Sequence, residues 1–289
     1  MGLGLKIFSF VILNYNTYDE TLDCIKYLKQ LENQDMINII VVDNNSTDRS
    51  GIEIEKYYIN DNQVTVLFSN ANLGFARGNN IGFEHAKYKQ NADFIILCNS
   101  DTELLNKDFC KIVIDDYDKY GFALLGPKII LPDNSIQGFL VNGIPTKKDV
   151  YKILLSVNLN YFKMKYNINF NVRRKRKNDN IEDSLVSNNV VLNKTLSGCF
   201  YVFSKKYIEL FDGLDNRTFM YGEEVLLSII LHKHDLITIY DPNIVINHLV
   251  GASIDSENNN LVKKQKFLVD NVNKSMKVVL KELNSLKNY

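Results

Sequence analysis

Four short polar stretches interrupt the apolar runs of the first hundred residues: Asn14-Tyr15-Asn16, Asp43-Asn44-Asn45-Ser46-Thr47-Asp48, Ser69-Asn70 and Asn99-Ser100-Asp101. Each follows a segment that reads as a strand, so each projects from a strand end. Asp43 closes the run Asn38–Asp43, where a carboxylate suits a hydrogen bond to a base or ribose. Asp101 ends an otherwise apolar segment. A hard carboxylate there suits Mg2+ or Mn2+, which keep waters and take one or two carboxylates plus substrate phosphates. Taken singly, each stretch is also what a turn or helix cap uses, and Asp48 reads as such a cap. Four on one edge are more than caps require.

Three further groups carry chemistry. The loop Asn72-Leu73-Gly74-Phe75-Ala76-Arg77-Gly78-Asn79-Asn80 opens a helix and offers backbone N–H groups and an Arg to an anion. Its glycines fit neither the dinucleotide nor the Walker pattern. Tyr221-Gly222-Glu223-Glu224 puts two carboxylates at a helix start, for proton transfer or simply to complement the helix dipole. His248 ends a late strand; the other three His fall on helices and read as surface residues.

The elements that must position these residues alternate. Strands are predicted at Ile7–Leu13, Asn38–Asp43, Val64–Phe68, Asp93–Cys98 and Phe122–Leu131. Helices are predicted at Thr17–Leu31, Thr47–Ile59, Ala76–Tyr88 and Lys107–Tyr120. Apolar strand runs without alternation point to strands buried on both faces, so the fold class is α/β, with a mostly parallel, doubly wound sheet. Pro132 to about Val190 has no clean period. Order resumes with an apolar stretch at Thr195–Ser204, short helices at Lys205–Phe211 and Glu223–His232, and two strands, Leu236–Tyr240 and Ile244–Asn247. A long Lys-rich helix is expected over Asn259–Leu286.

Composition bounds the function class. The 289 residues carry 34 Lys+Arg and 34 Asp+Glu, with 45% hydrophobic residues, which fits a folded globular chain and excludes a global polycation of the nucleic-acid-coating kind. Four scattered Cys give neither a zinc nor a disulfide framework, and buried thiols in a reducing compartment are expected. With no 18-residue apolar run, the protein is expected in the cytoplasm. There are 37 Asn, which read as codon drift, so a single Asn is weak evidence.

Taken in order, these motifs resemble the inverting glycosyltransferases of family 2, of GT-A fold, and within them the bacterial rhamnosyltransferase-like subgroup. The segments that carry the resemblance are Val11–Asn16, Val41–Asp48, Asn70–Gly82, Phe94–Asp101, Leu196–Cys199, Phe219–Glu224 and Asp241-Pro242…His248. It implies a Rossmann-like central sheet with helices on both faces. It also implies donor-side roles for Asn14, Asn16, Asp43, Asn45, Arg77, Asn79 and Asn99. Asp101 and His248 become metal ligands for Mg2+ or Mn2+, Glu224 the catalytic base, and Tyr221 and Glu223 acceptor-side residues. The implied reaction moves a sugar from a nucleoside-diphosphate donor, dTDP-rhamnose first, to a glycan or polyprenyl-diphosphate-linked acceptor in surface polysaccharide assembly. The family's usual acid stands as Leu226 here. That substitution motivates one alternative, a sugar- or partner-binding protein without turnover; a nucleotidyltransferase is the other.

The expected organisation is a GT-A domain over 1–255, with an irregular basic insert at about 135–190, and a helical tail over 256–289. Thr146–Lys177 carries ten Lys/Arg and one Asp, including the run Arg173–Lys177. Its stretch Tyr151–Phe162 is apolar with some helical spacing, and a basic amphipathic segment suits peripheral contact with the anionic inner face of the plasma membrane. The tail's apolar face, including Val272, Met276 and Val279, would pack on the domain or on a partner subunit, as in a homodimer.

Overall fold

Seven residues, Phe8–Asn14, form the innermost strand of the parallel block, β1, and their alternation sets two cores. The computed structural model describes residues 6–166, 186–249 and 261–286. Phe8, Phe10 and Ile12 point into one core, with α1 (Tyr18–Leu28), α2 (Ser50–Tyr57) and α4 (Phe109–Tyr120). Val11 points to the other core, shared with α3 (Phe75–Tyr88). Helices on both faces explain why the strand sequences are apolar throughout.

β1 pairs in parallel with β2 (Ile37–Asp43) and β4 (Phe94–Asn99), and β2 pairs in parallel with β3 (Val64–Phe68). After β5 (Thr102–Leu104) come β6 (Leu124–Ile130), β7 (Ile136–Gln137), β8 (Val191–Leu192), β9 (Phe200–Ser204) and β10 (Thr238–His248). The strand order is β3-β2-β1-β4-β9-β6-β10-β5, with β7 on β6 and β8 on β10. β9 lies antiparallel between β4 and β6, while β10 runs parallel to β6. A parallel block thus continues into a mixed one, in an α/β sheet of GT-A type. α3 lies close on the parallel block because its glycines allow it: a Cβ at Gly82 would stand 2.3 Å from Val11 Cγ1.

Two expectations change. The strands read as Leu236–Tyr240 and Ile244–Asn247 are one strand, β10, with a register shift between Asp241 and Val245. Pro242 cannot donate to the ladder, and Asp241 Oδ1 instead accepts the Asn243 N–H at 2.9 Å, so the interruption is a bulge rather than an end. The irregular insert contains a 19-residue helix, α5 (Lys147–Lys165), started by a capping box of Thr146 and Asp149. Its apolar residues lie on opposite sides of the helix, which erases a single period. The Arg173–Lys177 run lies outside the described residues.

The remaining helices are α6 (Lys205–Ile208), α7 (Glu223–Lys233) and α8 (Leu261–Asn284). Val272, Met276, Val279 and Leu283 of α8 form a third core with Val150 of α5 and Val225, Leu226 and Ile229 of α7. The apolar face of α8 is therefore spent inside this chain. All four cysteines are buried and unpaired.

Candidate active site

Asp43, Asn14 and Asn99 stand side by side at the carboxyl ends of β2, β1 and β4, since Asn14 is in register with Asp43 and Leu13 with Asn99. Asn14 is fully buried, and its amide nitrogen lies 2.7 Å from Asp43 Oδ1, 2.8 Å from Ser50 Oγ and 3.1 Å from Ser46 Oγ. Its Oδ1 accepts from Thr17 Oγ1 at 3.0 Å and Thr21 Oγ1 at 3.1 Å. An amide so engaged orients Asp43 and has no capacity left for a ligand. Asp43 Oδ2 accepts the Ser46 N–H at 3.1 Å. A Cβ at Gly51 would stand 2.4 Å from Asp43 Cγ, so only glycine leaves room for this carboxylate.

The neighbouring loops are tied by amides. Asn16, at φ 55°, accepts the Thr47 N–H at 2.7 Å, and Asn45, at φ 64°, stands exposed beside it. Asn44 accepts the Leu73 N–H at 3.0 Å and donates to Asn72 Oδ1 at 3.1 Å, which fixes the approach to α3. Phe75 N–H donates to Phe219 O at 2.8 Å. Gly74, at φ 79°, would put a Cβ 2.2 Å from that same carbonyl, so glycine is required where the α3 loop meets the segment before α7. Arg77 is exposed on the first turn of α3, its Nε donating to Asn216 O at 3.0 Å. Asn79 is buried and donates back to Phe75 O at 3.0 Å, so its amide serves its own helix.

A second cluster joins segments far apart in sequence. His248 Nε2 lies 3.3 Å from Asp101 Oδ1, and both side chains are largely buried. Burial works against charge on His248. Asp101, with Cys199 also close, outweighs it and holds the imidazole pKa above its ordinary value. The Asn99 N–H donates to Cys199 O at 2.9 Å. One residue earlier, a Cβ at Gly198 would stand 2.9 Å from Glu224 Oε1, so glycine there leaves room for the Glu224 carboxylate.

Tyr221 and Gly222 both have positive φ, 69° and 92°. For an aromatic residue this conformation is strained. It turns the chain sharply so that α7 starts with Glu223 and Glu224 facing inward. Glu223 is 6% exposed and its Oε1 has no hydrogen-bond partner, while the buried Thr218 hydroxyl stands close enough to favour the charged form. Burial, reinforced by the Glu224 charge, pushes the Glu223 carboxyl up to about 7. Burial also raises Glu224, opposed by backbone N–H groups at the helix start. Leu226 is in the third core, against α8.

The arrangement brings together Asp43 with Asn14 and Asn16, and separately Asp101 with His248; Glu224 lies against Gly198, next to the Cys199 whose carbonyl binds the Asn99 N–H. Sequence reasoning missed Gly51 and Ser50 and gave no role to Asn44 and Ser46 within the Asp43–Asp48 stretch; all four act through Asp43 or the α3 loop. Gly198 lay inside a quoted motif, but its role is purely spatial. Asp101 and His248 supply one carboxylate and one imidazole, and among the described residues no group of three or more His, Cys, Asp and Glu converges as a metal cage. This donor set fits an ion that takes its remaining ligands from phosphate oxygens and water.

The profile of the family described as Glycosyl transferase family 2 matches residues 9–181. Glycosyltransferase GlyG of Streptococcus pneumoniae serotype 4 is 32% identical over 96 residues, which are 33% of this chain and only 30% of that relative's length. Among solved structures, S. aureus TarS 1-349 aligns over 98% of this chain and 75% of its own, at 14% identity and a TM-score of 0.53. GalNAc-T7, solved with UDP, GalNAc and Mn2+, aligns over 85% of this chain and 43% of its own, at 13% identity and a TM-score of 0.57. At such identities the structural likeness speaks for the fold alone. The family match is of another kind: it covers more than half of the 289 residues and contains the strand ends that carry Asp43 and Asp101, and on that match the chain belongs to glycosyl transferase family 2.

Proposed function

We propose that the protein is an inverting glycosyltransferase that moves a sugar from a nucleoside-diphosphate donor to a glycan or lipid-linked glycan acceptor in bacterial surface polysaccharide assembly. The observation that carries this reading is the pairing of Asp101 with His248 at one sheet edge, beside the braced Asp43, with Glu224 against Gly198, the residue before Cys199. In this reading Asp43 meets the base or ribose, and Arg77 lies toward the diphosphate, with Asn16, Asn45 and Asn99 lining the donor side. Asn14 and Asn79 act as positioning residues. Asp101 and His248 would hold Mg2+ or Mn2+, which supplies charge neutralisation for the departing diphosphate.

Glu224 takes the proton from the acceptor hydroxyl. The hydroxyl oxygen forms its bond to C1 as the C1–oxygen bond to the diphosphate breaks on the opposite face, and that single displacement inverts the anomeric centre. Burial raises the proton affinity of Glu224, which favours such a transfer. Tyr221 and Glu223 stand on the acceptor side. In domain terms the chain reads as a GT-A domain over 1–255 followed by a helical tail over 256–289, which closes over α7.

dTDP-rhamnose is the first donor candidate, from the sequence resemblance. A UDP-sugar is the second, because a TarS structure was solved with UDP and the GalNAc-T7 structure with UDP and GalNAc. A binding protein without turnover is less favoured, because Leu226, which motivated it, packs in a core instead of toward the sheet edge. No helix among the described residues is long and apolar enough to cross a membrane. Contact with a lipid-linked acceptor would therefore be peripheral, at the inner face of the plasma membrane.

The test is a screen of nucleotide sugars for metal-dependent rise in Tm, followed by transfer assays with Asp101→Ala. Binding to the native state raises Tm by mass action. Loss of both the metal-dependent shift and transfer in Asp101→Ala supports the assignment, and unchanged Mn2+-dependent transfer overturns it. Glycan binding by wild type with no transfer from any nucleotide sugar would establish the binding-protein reading instead.

A further inference from the structure

α5 is apolar on two sides. Val150 is buried in the third core, and Leu154 and Val157 pack against it. On the other side Tyr151, Leu155, Leu159, Phe162 and Tyr166 stand exposed, by 60%, 63%, 46%, 52% and 56%. Their spacing of four, four, three and four residues places all five on one stripe of the helix. Phe162 and Tyr166 pack ring to ring at 4.7 Å, so the end of the stripe is a preformed aromatic surface. α8, packed antiparallel beside α5 through Asn158 and Asn273, exposes mainly Lys263, Lys266, Asp270, Lys274, Lys277 and Lys281. α8 is thus mainly polar outside, and α5 departs from that pattern.

The charge around the stripe identifies its occupant. Lys147 to Tyr166 contains five lysines and one acid. At 100° per residue, Lys152 and Lys163 border the stripe on one edge and Lys147 and Lys165 on the other, while Lys148 falls within it. Two copies meeting through this face would bring lysines against lysines. An anionic bilayer would accept both features, with rings and leucines entering the acyl boundary and ammonium groups at the phosphates. The same end of the molecule carries the acceptor side. Tyr161 lies close enough to Lys266 to act on its charge, and Phe267 of α8 meets Phe219 edge to face at 6.4 Å, two residues before Tyr221.

We propose that α5 is an interfacial helix that lies in the plane of an anionic membrane, with this stripe inserted, and presents the acceptor side of the site to that surface. The inference deepens the lipid-linked-acceptor reading and rests on it for the reason a membrane is near. The lipid contact itself is measured separately.

The test is cosedimentation with vesicles of phosphatidylcholine alone and of phosphatidylcholine with phosphatidylglycerol. Wild type is compared with Leu155→Glu/Phe162→Glu and with Lys148→Gln/Lys152→Gln/Lys163→Gln. These side chains are exposed, so all three proteins should melt alike. The Tm shift with UDP and Mn2+ is recorded for each as an independent readout of the donor site. Wild type should prefer the anionic vesicles. The double Glu variant should bind them at least about tenfold more weakly, and the triple Gln variant should lose the preference for anionic lipid. Equal binding by wild type and the double Glu variant overturns the proposal and assigns lipid attraction to charge alone, including the Arg173–Lys177 run. No vesicle binding by wild type also overturns it, whether or not UDP and Mn2+ raise Tm. So does a dimer in size-exclusion chromatography that Leu155→Glu/Phe162→Glu splits, without lipid binding. Lipid binding without any shift by UDP or other nucleotides keeps the helix assignment and removes the donor reading.

Discussion

The surroundings of Asp43 and of Glu223, the donor and acceptor sides of the proposed site, are built on opposite principles. Around Asp43 the polar atoms satisfy one another: Asn14 engages Asp43, Ser46, Ser50, Thr17 and Thr21, and Asn16 and Asn44 tie down the adjacent loops. Around Glu223 they do not, for Glu223 Oε1 is buried without a partner, burial raises its carboxyl to about 7, and the chain enters α7 through a strained Tyr221. A closed network fixes a geometry in advance, as a constant ligand part such as a nucleotide requires. Unpaired buried atoms cost stability, and they are kept where a ligand or a proton completes them.

The largest effect separates chemistry from binding. Glu224→Gln keeps the shape of the helix start but cannot take a proton. Transfer should fall by roughly 10²- to 10⁴-fold, while the Tm shift by nucleotide and Mn2+ stays as in wild type. A variant that loses the shift as well would place Glu224 in the donor half and erase the distinction drawn above.

The next largest effects should fall in the closed network. Asn14→Ala strips the buried amide from Asp43 and from four hydroxyls, and loss of about 2–4 kcal/mol in urea unfolding is expected. Gly51→Ala forces a methyl group to within 2.4 Å of Asp43 Cγ. It should cost about 1–3 kcal/mol and weaken nucleotide binding, because Asp43 must move. If either change leaves the Tm in place, the donor side is less rigid than its hydrogen bonds indicate.

The parallel block was readable because its signals are local. Unbroken apolar runs such as Ile7–Leu13 and Val64–Phe68 specify strands, and polar residues after them specify the edge where a ligand sits. α5 was readable only in part: Tyr151–Phe162 shows some helical spacing, but a helix with apolar residues on two sides has no single period. Nor was the continuity of β10, because Pro242 imitates a strand end. The pairing of His248 with Asp101 spans 147 residues and depends on β10 meeting β5 antiparallel, which no local pattern encodes. The many Asn, read as codon drift, have a structural use in part: six of the nine described non-glycine residues with positive φ are Asn. Asn tolerates that conformation better than other side chains, so loops such as the one at Asn16 can turn without glycine. Gly51 and Gly198 are needed for what they leave empty, and only the neighbours that fill that space reveal it.

The smallest predicted effect bears on the acceptor side and has a sign of its own. Glu223 is held up to about 7, above its ordinary 4.5, by burial and by Glu224. A carboxyl raised by folding favours the folded state in its neutral form. That contribution is complete below about pH 4.5 and is lost as pH rises through about 7. Wild type should therefore lose stability over this interval, by up to about 1.4 kcal/mol per pH unit. Glu223→Gln should flatten that part of the curve. Relative to wild type it should gain about 1 kcal/mol near pH 8, because the amide still has to be buried without a full set of partners, and nothing near pH 5. Urea midpoints at the two pH values measure it. Parallel curves for the two proteins would mean that Glu223 finds a partner when ionised, and the contrast with the donor side would then rest on the strained Tyr221-Gly222 turn alone. A stabilising substitution that also lowers transfer is the expected signature of a residue kept for function at the expense of the fold.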